Sequence, residues 1–276
     1  CGVVEGMRFK RKGDKMKLGV VGKDVSRSES PVMHKFIAER LGYEIEYDKI
    51  SVSEDRFADE IDDLLKSYDG LNFTIPYKLS VIPYLNNVSG DAKAFGAVNT
   101  VKTADLSGHN TDGLGFMLML YDAGAEIEGK KYLVIGAGGA GRSVAKKLAD
   151  AGAEVYVYDK NADRAYAVAQ EFGVLHLKEI TPSNYYCIIN ASGIGMHKTE
   201  GTSPVGEDVI ALCEVAVDLI YVPKKSEFLN IAERAGKKII NGEAMLFYQA
   251  YYAECIFAGI TPDSVVAGKL FKEYSK

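Results

Sequence analysis

The chain has 276 residues, of which 47% are apolar and 26% charged, and this length and composition are typical of a globular protein with two domains. Its formal net charge of −5 disfavours nucleic acids and anionic membrane surfaces as partners, because both bind concentrated positive charge. We therefore expect a small-molecule ligand, with no nucleic-acid or membrane partner.

The cysteines and histidines predict a protein of a reducing compartment that has no metal site. The four cysteines show no paired short spacing, so neither a zinc site nor a disulfide framework is predicted. The four histidines have no acidic or cysteine partners at ligand spacing, so no metal is expected. No apolar run approaches the roughly 20 residues of a membrane span, and no apolar stretch follows the basic amino terminus. We expect a cytoplasmic protein.

The first segment of the chain, residues 1–16, is cationic and has no periodicity. We predict a tail, either a disordered natural extension or the remnant of an upstream segment such as a fused domain.

From Lys17 onward, strand-like and helix-like runs alternate. The strand-like run KLGVVG is followed by a helix-like run after Pro31, and then come the strand-like IEYDKISV, the amphipathic DRFADEIDDLLKSY and the strand-like GLNFT. This alternation predicts an α/β layer.

A second alternating series begins near Lys130. Its strand-like runs are KYLVIG, EVYVYD, CIINAS, VAVDLIY and KKII, and the helix-like runs AGRSVAKKLADAG and ADRAYAVAQEFG lie between the first three of them. Nearly continuous β-branched and aromatic strands separated by helices predict a parallel sheet covered on both faces. The chain is therefore predicted to be α/β with two α/β domains and a ligand-binding cleft between them.

A glycine-rich turn, VIGAGGAG, follows the first strand of the second series and precedes a helix. Gly136, Gly138 and Gly141 have the dinucleotide-binding spacing, which suits a tight turn, close approach of the backbone to a diphosphate, and close helix packing, respectively. The diphosphate is expected at the positive end of the helix. We predict a Rossmann-type doubly wound domain whose cofactor contacts are Gly136, Ala137, Gly138, Gly139 and Ala140.

The end of the next strand carries Asp159, eighteen residues beyond Gly141. A carboxylate there suits the two ribose hydroxyls of NAD and repels the 2′-phosphate of NADP, whereas Lys160 partly neutralises such a phosphate. Both residues are predicted cofactor contacts, and NAD is favoured over NADP. The alternative is that Asp159 only caps the turn that follows.

Six short motifs occur in the order SESP, NFTIPYK, GAVNT, GHNTDG, GAGGAG and NGEAMLFYQA. In this order, and over the chain from Lys17 almost to its end, they resemble the shikimate dehydrogenase family. The resemblance implies reversible reduction of 3-dehydroshikimate to shikimate with a nicotinamide cofactor. Lys78 and Asp112 match the catalytic pair of the family, in which an ammonium protonates the developing alkoxide and a carboxylate holds that ammonium in place.

The serines of SESP stand at the start of a predicted helix. Ser30 is a suitable N-cap and Pro31 suits the first helical position, while the apolar residues after it precede Gly42, where the helix is expected to end. A helix amino terminus favours an anion. Ser28 and Ser30 match family serines that bind the substrate carboxylate, although capping alone would also explain Ser30.

The resemblance implies further contacts. The positions that match substrate-binding residues of the family are Asn72, Thr74, Asn99, Tyr221 and Gln249. The positions that match the nicotinamide side of the family site are Leu219, Gly242 and Met245. The implied domains are a substrate domain, 17–112 with 246–276, and a dinucleotide-binding domain, 113–245; a homodimer is also considered.

Departures from the family pattern leave alternatives open. The chain has DKN at 159–161 where NADP-using members carry NRT, and Glu243 stands where a leucine is common. The main alternative is an NAD-dependent enzyme that oxidises both quinate and shikimate. A dinucleotide sensor without catalytic activity is a remote alternative, since Lys78 and Asp112 are both present.

Overall fold

The computed structural model of the protein describes residues 15–276, except for the side chain of His197. Residues 1–14 of the predicted tail lie outside the described residues. Met16, the last residue of the predicted tail, is the first residue of a strand. The chain divides into two compact units, the first of which includes residues up to Leu114 together with Phe247–Lys276, and the second Gly115–Leu246. The domain boundaries and the cleft inferred from the sequence stay predictions.

The first unit contains a mixed sheet. Its strands are β1 (Met16–Gly22), β2 (Ile45–Ser51), β3 (Gly70–Phe73), β4 (Asn87–Val88), β5 (Thr100–Lys102) and β6 (Ser107–His109). They lie in the order β2-β1-β3-β5-β6-β4. The first three strands are parallel, whereas β5 is antiparallel to both β3 and β6. The last three strands are too short for their sequence pattern to predict.

Four helices precede the boundary between the units in the described chain. They are α1 (Ser30–Leu41), α2 (Phe57–Ser67), α3 (Tyr77–Ser80) and α4 (Gly90–Phe95), with a 3-10 helix at Ile82–Tyr84. In α2, the buried Phe57, Ile61 and Leu65 recur every four residues, so one face of the helix enters the core.

The start of α1 differs from the prediction. The N-cap is Glu29 rather than Ser30, because Ser30 is already the first residue of the helix; Glu29 has dihedrals of −87° and −3° and its side chain makes no capping hydrogen bond. The N–H of Ser30 donates to Oγ of Ser28 at 3.2 Å, so Ser28 satisfies a donor at this helix end. The predicted end at Gly42 is confirmed, with a φ of 92°.

The second unit contains a parallel sheet. Its strands are β7 (Lys131–Ile135), β8 (Glu154–Tyr158), β9 (Leu175–His176), β10 (Cys187–Asn190), β11 (Val215–Asp218) and β12 (Lys238–Ile240). They lie in the order β12-β11-β10-β7-β8-β9, which is the doubly wound order of a Rossmann fold. The order reverses between β7 and β10, where ligands bind in such sheets. The predicted fold class is confirmed.

The remaining helices complete the two units. Two of them, α5 (Asp112–Asp122) and α10 (Glu243–Ala258), contain the boundaries between the units. The others are α6 (Gly139–Asp150), α7 (Ala162–Phe172), α8 (Glu207–Ile210), α9 (Glu227–Arg234) and α11 (Ser264–Tyr274), with a 3-10 helix at His197–Thr199. Within the described chain, no helix combines the length and the apolar character that crossing a membrane requires.

Alternate residues of β1 serve two separate cores. Val21 packs in a cluster with residues of α2 and β3, whereas Leu18 and Val20 pack in another with residues of α1, β2 and the end of α10. Gly70 permits the second packing, because a Cβ there would lie 2.4 Å from the ring of Phe257. The carboxyl-terminal turn of α1, with Ala38 and Leu41, is thus held against the sheet.

The glycine turn gives a test of the fold. A Cβ on Gly141 would lie 1.8 Å from the carbonyl oxygen of Gly136, whereas a Cβ on Gly139 meets no atom within 4 Å. We expect Gly141→Ala to lower the free energy of unfolding by about 3 kcal/mol or more, as overpacking against backbone does. Gly139→Ala, the matched control, is expected to change it by less than about 1 kcal/mol. Urea unfolding without cofactor measures both, and equal effects would contradict the packing argument.

Candidate active site

Lys78 and Asp112 form an ion pair at the edge of the first unit. Lys78 lies in α3, directly after β3 and the turn that follows it, and Asp112 is the first residue of α5. The Nζ atom of Lys78 lies 2.6 Å from Oδ2 of Asp112. The two side chains are 26% and 21% exposed, so the pair is oriented by the protein and still accessible to a ligand.

Asn99 fixes the carboxylate of this pair. Its Nδ2 donates to Oδ1 of Asp112 at 2.8 Å, so each carboxylate oxygen has its own donor. Asn99 is 3% exposed, and its Oδ1 accepts the N–H of Thr111 at 2.9 Å. The orientation of Asp112 therefore depends on a buried amide that the adjacent backbone holds.

Gln249 and Asn72 extend the same network. Oε1 of Gln249 lies 3.5 Å from Nδ2 of Asn99 and 3.4 Å from Oγ1 of Thr111. Nδ2 of Asn72 donates to the carbonyl oxygen of Asn99 at 3.1 Å and to Oγ1 of Thr100 at 3.0 Å. The structure thus brings Asn72, Asn99 and Gln249 together with the ion pair.

Thr74 and the two serines lie elsewhere on the first unit. The N–H of Thr74 donates to the carbonyl oxygen of Val21 at 2.9 Å, which places this partly buried residue in the turn before α3. Oγ of Ser28 donates to Oγ of Ser30 at 3.0 Å at the start of α1. The sequence analysis missed Tyr47, whose hydroxyl donates to Oδ1 of Asn72 at 2.8 Å.

The glycine turn of the second unit lies between β7 and α6. Gly136 has a φ of 109°, and a Cβ on it would lie 2.7 Å from the backbone of Ala191, so only glycine fits. Beside Gly138 and Gly139 there is open space. A cavity of about 380 Å³ is lined by Gly136, Gly138 and residues that follow β8 and β10. Together with the uncapped amino terminus of α6, these features fit the diphosphate of a dinucleotide.

The carboxylate of Asp159 is bound by the backbone. Oδ2 accepts the N–H of Ala137 at 2.7 Å, and Oδ1 accepts the N–H of Asn161 at 2.8 Å. Lys160 and Arg164 are exposed and line the same cavity. The negative charge is therefore held against the glycine turn, and two cations lie beside it.

The residues predicted for the nicotinamide side lie on neighbouring loops of the second unit. A Cβ on Gly242 would lie 2.1 Å from the carbonyl oxygen of Leu219, and the N–H of Gly242 donates to the carbonyl oxygen of Ile220 at 3.1 Å. Met245 follows in α10 and is partly buried, and Tyr221 is 38% exposed. The backbone of Gly242 thus fixes the loop that carries Leu219 and Tyr221.

Asp218 and Asn190 anchor this loop and were missed by the sequence analysis. Asp218 is fully buried and accepts the hydroxyl of Ser226 at 2.5 Å, Nδ2 of Asn190 at 3.1 Å and the N–H of Ile220 at 3.0 Å. Burial raises the pKa of the Asp218 carboxyl, while these donors act against that rise. The sequence signal that could have identified these two residues is a polar side chain at the end of each of two buried strands, β10 and β11.

Two further sequence features have a place in the structure. Glu243, the departure at the nicotinamide side, lies 3.9 Å from Nζ of Lys224 and is 28% exposed. In the described part of the chain, no group of three or more His, Cys, Asp or Glu side chains is arranged to hold a metal ion.

Comparison with protein-family models gives two matches. The model of the shikimate dehydrogenase substrate binding domain matches residues 20–101, and that of shikimate / quinate 5-dehydrogenase matches residues 120–208. A curated shikimate dehydrogenase (NADP(+)) from Carboxydothermus hydrogenoformans is 35% identical over 270 residues, covering 93% of this chain and 96% of that protein. The chain belongs to the shikimate dehydrogenase family. The resemblance inferred from the motifs is confirmed.

Other members of the shikimate dehydrogenase family agree in sequence and structure. The shikimate dehydrogenase (NADP(+)) of Thermus thermophilus is 35% identical over 250 residues, covering 90% of this chain and 94% of that protein. Its crystal structure, described in complex with NADP(H) and shikimate, has a TM-score of 0.84 and covers 94% of this chain and 99% of that one. A chorismate mutase/shikimate 5-dehydrogenase fusion protein from Clostridium acetobutylicum is 35% identical, with a TM-score of 0.87 and coverage of 95% and 98%, respectively.

The predicted preference for NAD over NADP is wrong. The curated family members from C. hydrogenoformans and T. thermophilus are both named for NADP(+). The physical reason lies at Asp159, whose carboxylate oxygens are both occupied by backbone N–H groups. The charge of this residue is evident from its identity, whereas the direction of its oxygens is evident only from the structure.

Asn99 gives a test of the site. We expect Asn99→Ala to lower the free energy of unfolding by about 2–4 kcal/mol, because it leaves the buried partners of the amide unpaired. Asn86→Ala is the matched control, since Asn86 is exposed and donates one 3.3 Å bond to the carbonyl oxygen of Asp105. It is expected to change stability by less than about 0.5 kcal/mol. Thermal and urea unfolding measure both, and equal effects would contradict the assigned role of Asn99.

Proposed function

We propose that this member of the shikimate dehydrogenase family catalyses the reversible reduction of 3-dehydroshikimate to shikimate with NADP(H). The observation that carries the proposal is the accessible ion pair of Lys78 and Asp112, held at 2.6 Å by the buried Asn99. The family membership and the T. thermophilus structure described with NADP(H) and shikimate support the choice of substrate and cofactor.

Lys78 is the proton donor in this proposal. When bound, NADPH supplies the hydride that reduces the ketone carbon. The negative charge that develops on the ketone oxygen is neutralised as Nζ of Lys78 transfers a proton to it, and in the reverse direction Nζ takes the proton of the hydroxyl. Asp112 holds Nζ at this position through Oδ2, and Asn99 prevents the carboxylate from rotating away. The exposed quarter of the Lys78 side chain is the surface that the substrate reaches.

Polar residues of the first unit bind the rest of the substrate in this proposal. Ser28 and Ser30 lie at the amino terminus of α1, where the helix dipole favours the substrate carboxylate, and the Ser30 hydroxyl, which accepts from Ser28, is the donor to that carboxylate. In this proposal, the ring hydroxyls of the substrate bind to the side-chain amides of Asn72, Asn99 and Gln249 and to the hydroxyl of Thr74. A site that pairs each hydroxyl discriminates strongly against analogues that lack one.

Lys160 and Arg164 bind the 2′-phosphate of NADP in this proposal. Both are exposed on the cavity wall after β8, and the carboxylate of Asp159 between them and the glycine turn is occupied by backbone donors. Charge-assisted contacts to a phosphate then outweigh the repulsion from Asp159. The cytoplasmic location, the homodimer and the upstream fused domain stay predictions.

The role of Lys78 is tested with Lys78→Met. We expect kcat for shikimate oxidation to fall by about 10³-fold, because in this direction Lys78 accepts the hydroxyl proton and positioned general acid–base catalysis contributes roughly 10²–10⁴-fold. The dissociation constant of NADPH, measured by fluorescence titration, is expected to stay within about twofold. Lys93→Met, which removes an exposed lysine of the same unit, is the control and should retain full kcat. A kcat within tenfold of the wild type would refute the assigned role.

The cofactor assignment is tested with the double variant Lys160→Ala/Arg164→Ala. We expect the KM for NADP⁺ to rise by about 10–100-fold, because two charge-assisted contacts to the phosphate are lost. The KM for NAD⁺, which has no 2′-phosphate, should change by less than about threefold. Arg142→Ala is the control, since Arg142 pairs with Glu171 and is not among the cavity residues. An equal rise for both cofactors would count against the assignment.

A further inference from the structure

A buried acidic residue lies in the first unit, away from the ion pair of Lys78. Glu254 of α10 is fully buried, and its Oε1 lies 2.6 Å from Nδ1 of His34, which is 1% exposed. The hydroxyl of Tyr43 donates to Oε2 at 2.5 Å. A buried carboxyl is costly unless such partners satisfy it, and here they join α10 to α1 and to the start of β2.

His34 connects this buried group to Tyr47 of β2. The two rings are stacked, with centroids 4.5 Å apart and an angle of 28° between their planes. Tyr47 is 5% exposed, so its ring is enclosed by the core of the first unit. Glu254 therefore fixes the His34 ring, and the His34 ring fixes the plane of Tyr47.

The hydroxyl of Tyr47 contacts a residue assigned to the substrate. It donates to Oδ1 of Asn72 at 2.8 Å. Burial, and next the nearby charge of Glu254, raise the pKa of Tyr47 well above its usual value, so the phenol keeps the proton that it donates. One hydroxyl thus joins β2 to the end of β3.

The contact with Tyr47 also determines what Asn72 offers to a ligand. Nδ2 of Asn72 already donates to the carbonyl oxygen of Asn99 and to Oγ1 of Thr100, so both of its hydrogens are used. Oδ1 accepts one bond from Tyr47 and retains a second lone pair. Asn72 is therefore fixed as a hydrogen-bond acceptor toward a substrate hydroxyl.

We propose that Tyr47, backed by the buried pair of His34 and Glu254, is a positioning residue that orients Asn72 for the substrate. The inference rests on the proposed function, because the substrate contact of Asn72 is part of that proposal. Tyr47 acts through Asn72 and not on the reacting atoms, so its removal affects substrate binding rather than proton transfer.

The experiment compares two Tyr→Phe variants in steady-state oxidation of shikimate by the full chain. Tyr47→Phe keeps the stacked ring and removes the hydroxyl, and we expect the KM for shikimate to rise about tenfold, as the loss of one buried hydrogen bond predicts. Its kcat should stay within about threefold, and the KM for NADP⁺ should not change. Tyr43→Phe is the matched control, because it likewise loses one buried hydrogen bond, the one to Glu254, and leaves the bond from Tyr47 to Asn72 in place. It is expected to lower the melting temperature and to leave the KM for shikimate unchanged.

Two further variants separate positioning from general stability. The double variant Asn72→Ala/Tyr47→Phe should have a KM for shikimate less than twofold above that of Asn72→Ala alone, because Tyr47 then has no Asn72 side chain to orient. If Tyr47→Phe does not fold, Glu254→Gln provides the test, since an amide cannot accept from both His34 and Tyr43 in the way the carboxylate does. It is expected to raise the KM for shikimate at least threefold with little change in kcat.

The outcomes distinguish the two proposals. An active wild type whose KM for shikimate is the same in Tyr47→Phe, or rises equally in Tyr43→Phe, overturns the positioning role alone. A folded wild type that oxidises no shikimate with NADP⁺ overturns the proposed function, and the positioning role is then rejected with it.

Discussion

The ion pair of Lys78 and Asp112 depends on a buried amide. An exposed pair of this kind contributes little stability and has no fixed geometry, because water competes for both charges. Here Oδ1 of Asp112 is held by Asn99, and Asn99 is held in turn by Thr111 and the buried surroundings of β5. The 2.6 Å distance between Nζ of Lys78 and Oδ2 of Asp112 therefore depends on the hydrogen-bonded core beneath the pair. Each polar residue around the pair must keep its own hydrogen-bond partner for this geometry to hold.

The second unit applies the same principle to its loops. Parallel strands end at one edge of the sheet, and the polar residues that end β10 and β11 there, Asn190 and Asp218, bind one another. Asp218 also holds the hydroxyl of Ser226 and the N–H of Ile220. The loops that carry the cofactor residues are thus attached to the buried ends of two paired strands, and their conformations follow from those strand ends.

Features that depend on local sequence could be predicted. The turn at Gly136 needs a positive φ and Gly141 needs the absence of a Cβ, and both requirements are met within one strand–turn–helix unit. The parallel sheet of the second unit followed from its runs of β-branched residues. Lys78 and Asp112 were found through their motifs, because nothing in the sequence alone states that residues 34 positions apart meet.

Two kinds of feature could not be predicted: the direction in which a side chain points, and contacts between residues far apart in the sequence. The identity of Asp159 suggested NAD, but the choice depends on where its oxygens point, and they point to the N–H groups of Ala137 and Asn161. His34 and Glu254 are separated by 220 positions, and neither residue has a neighbour in the sequence that indicates the other. The N-cap of α1 lies one residue before the predicted one, because the helix already begins at Ser30 and Glu29 caps it without a side-chain hydrogen bond, against the usual residue preference.

The contact between Gly242 and Leu219 has a consequence for how the second unit receives a ligand. The backbones of the two loops touch with no side chain between them, and an N–H…O bond joins Gly242 to Ile220. Neither loop can shift without carrying the other along. This surface is consequently preorganised, so a ligand that docks on it loses little affinity to the entropy of ordering flexible backbone.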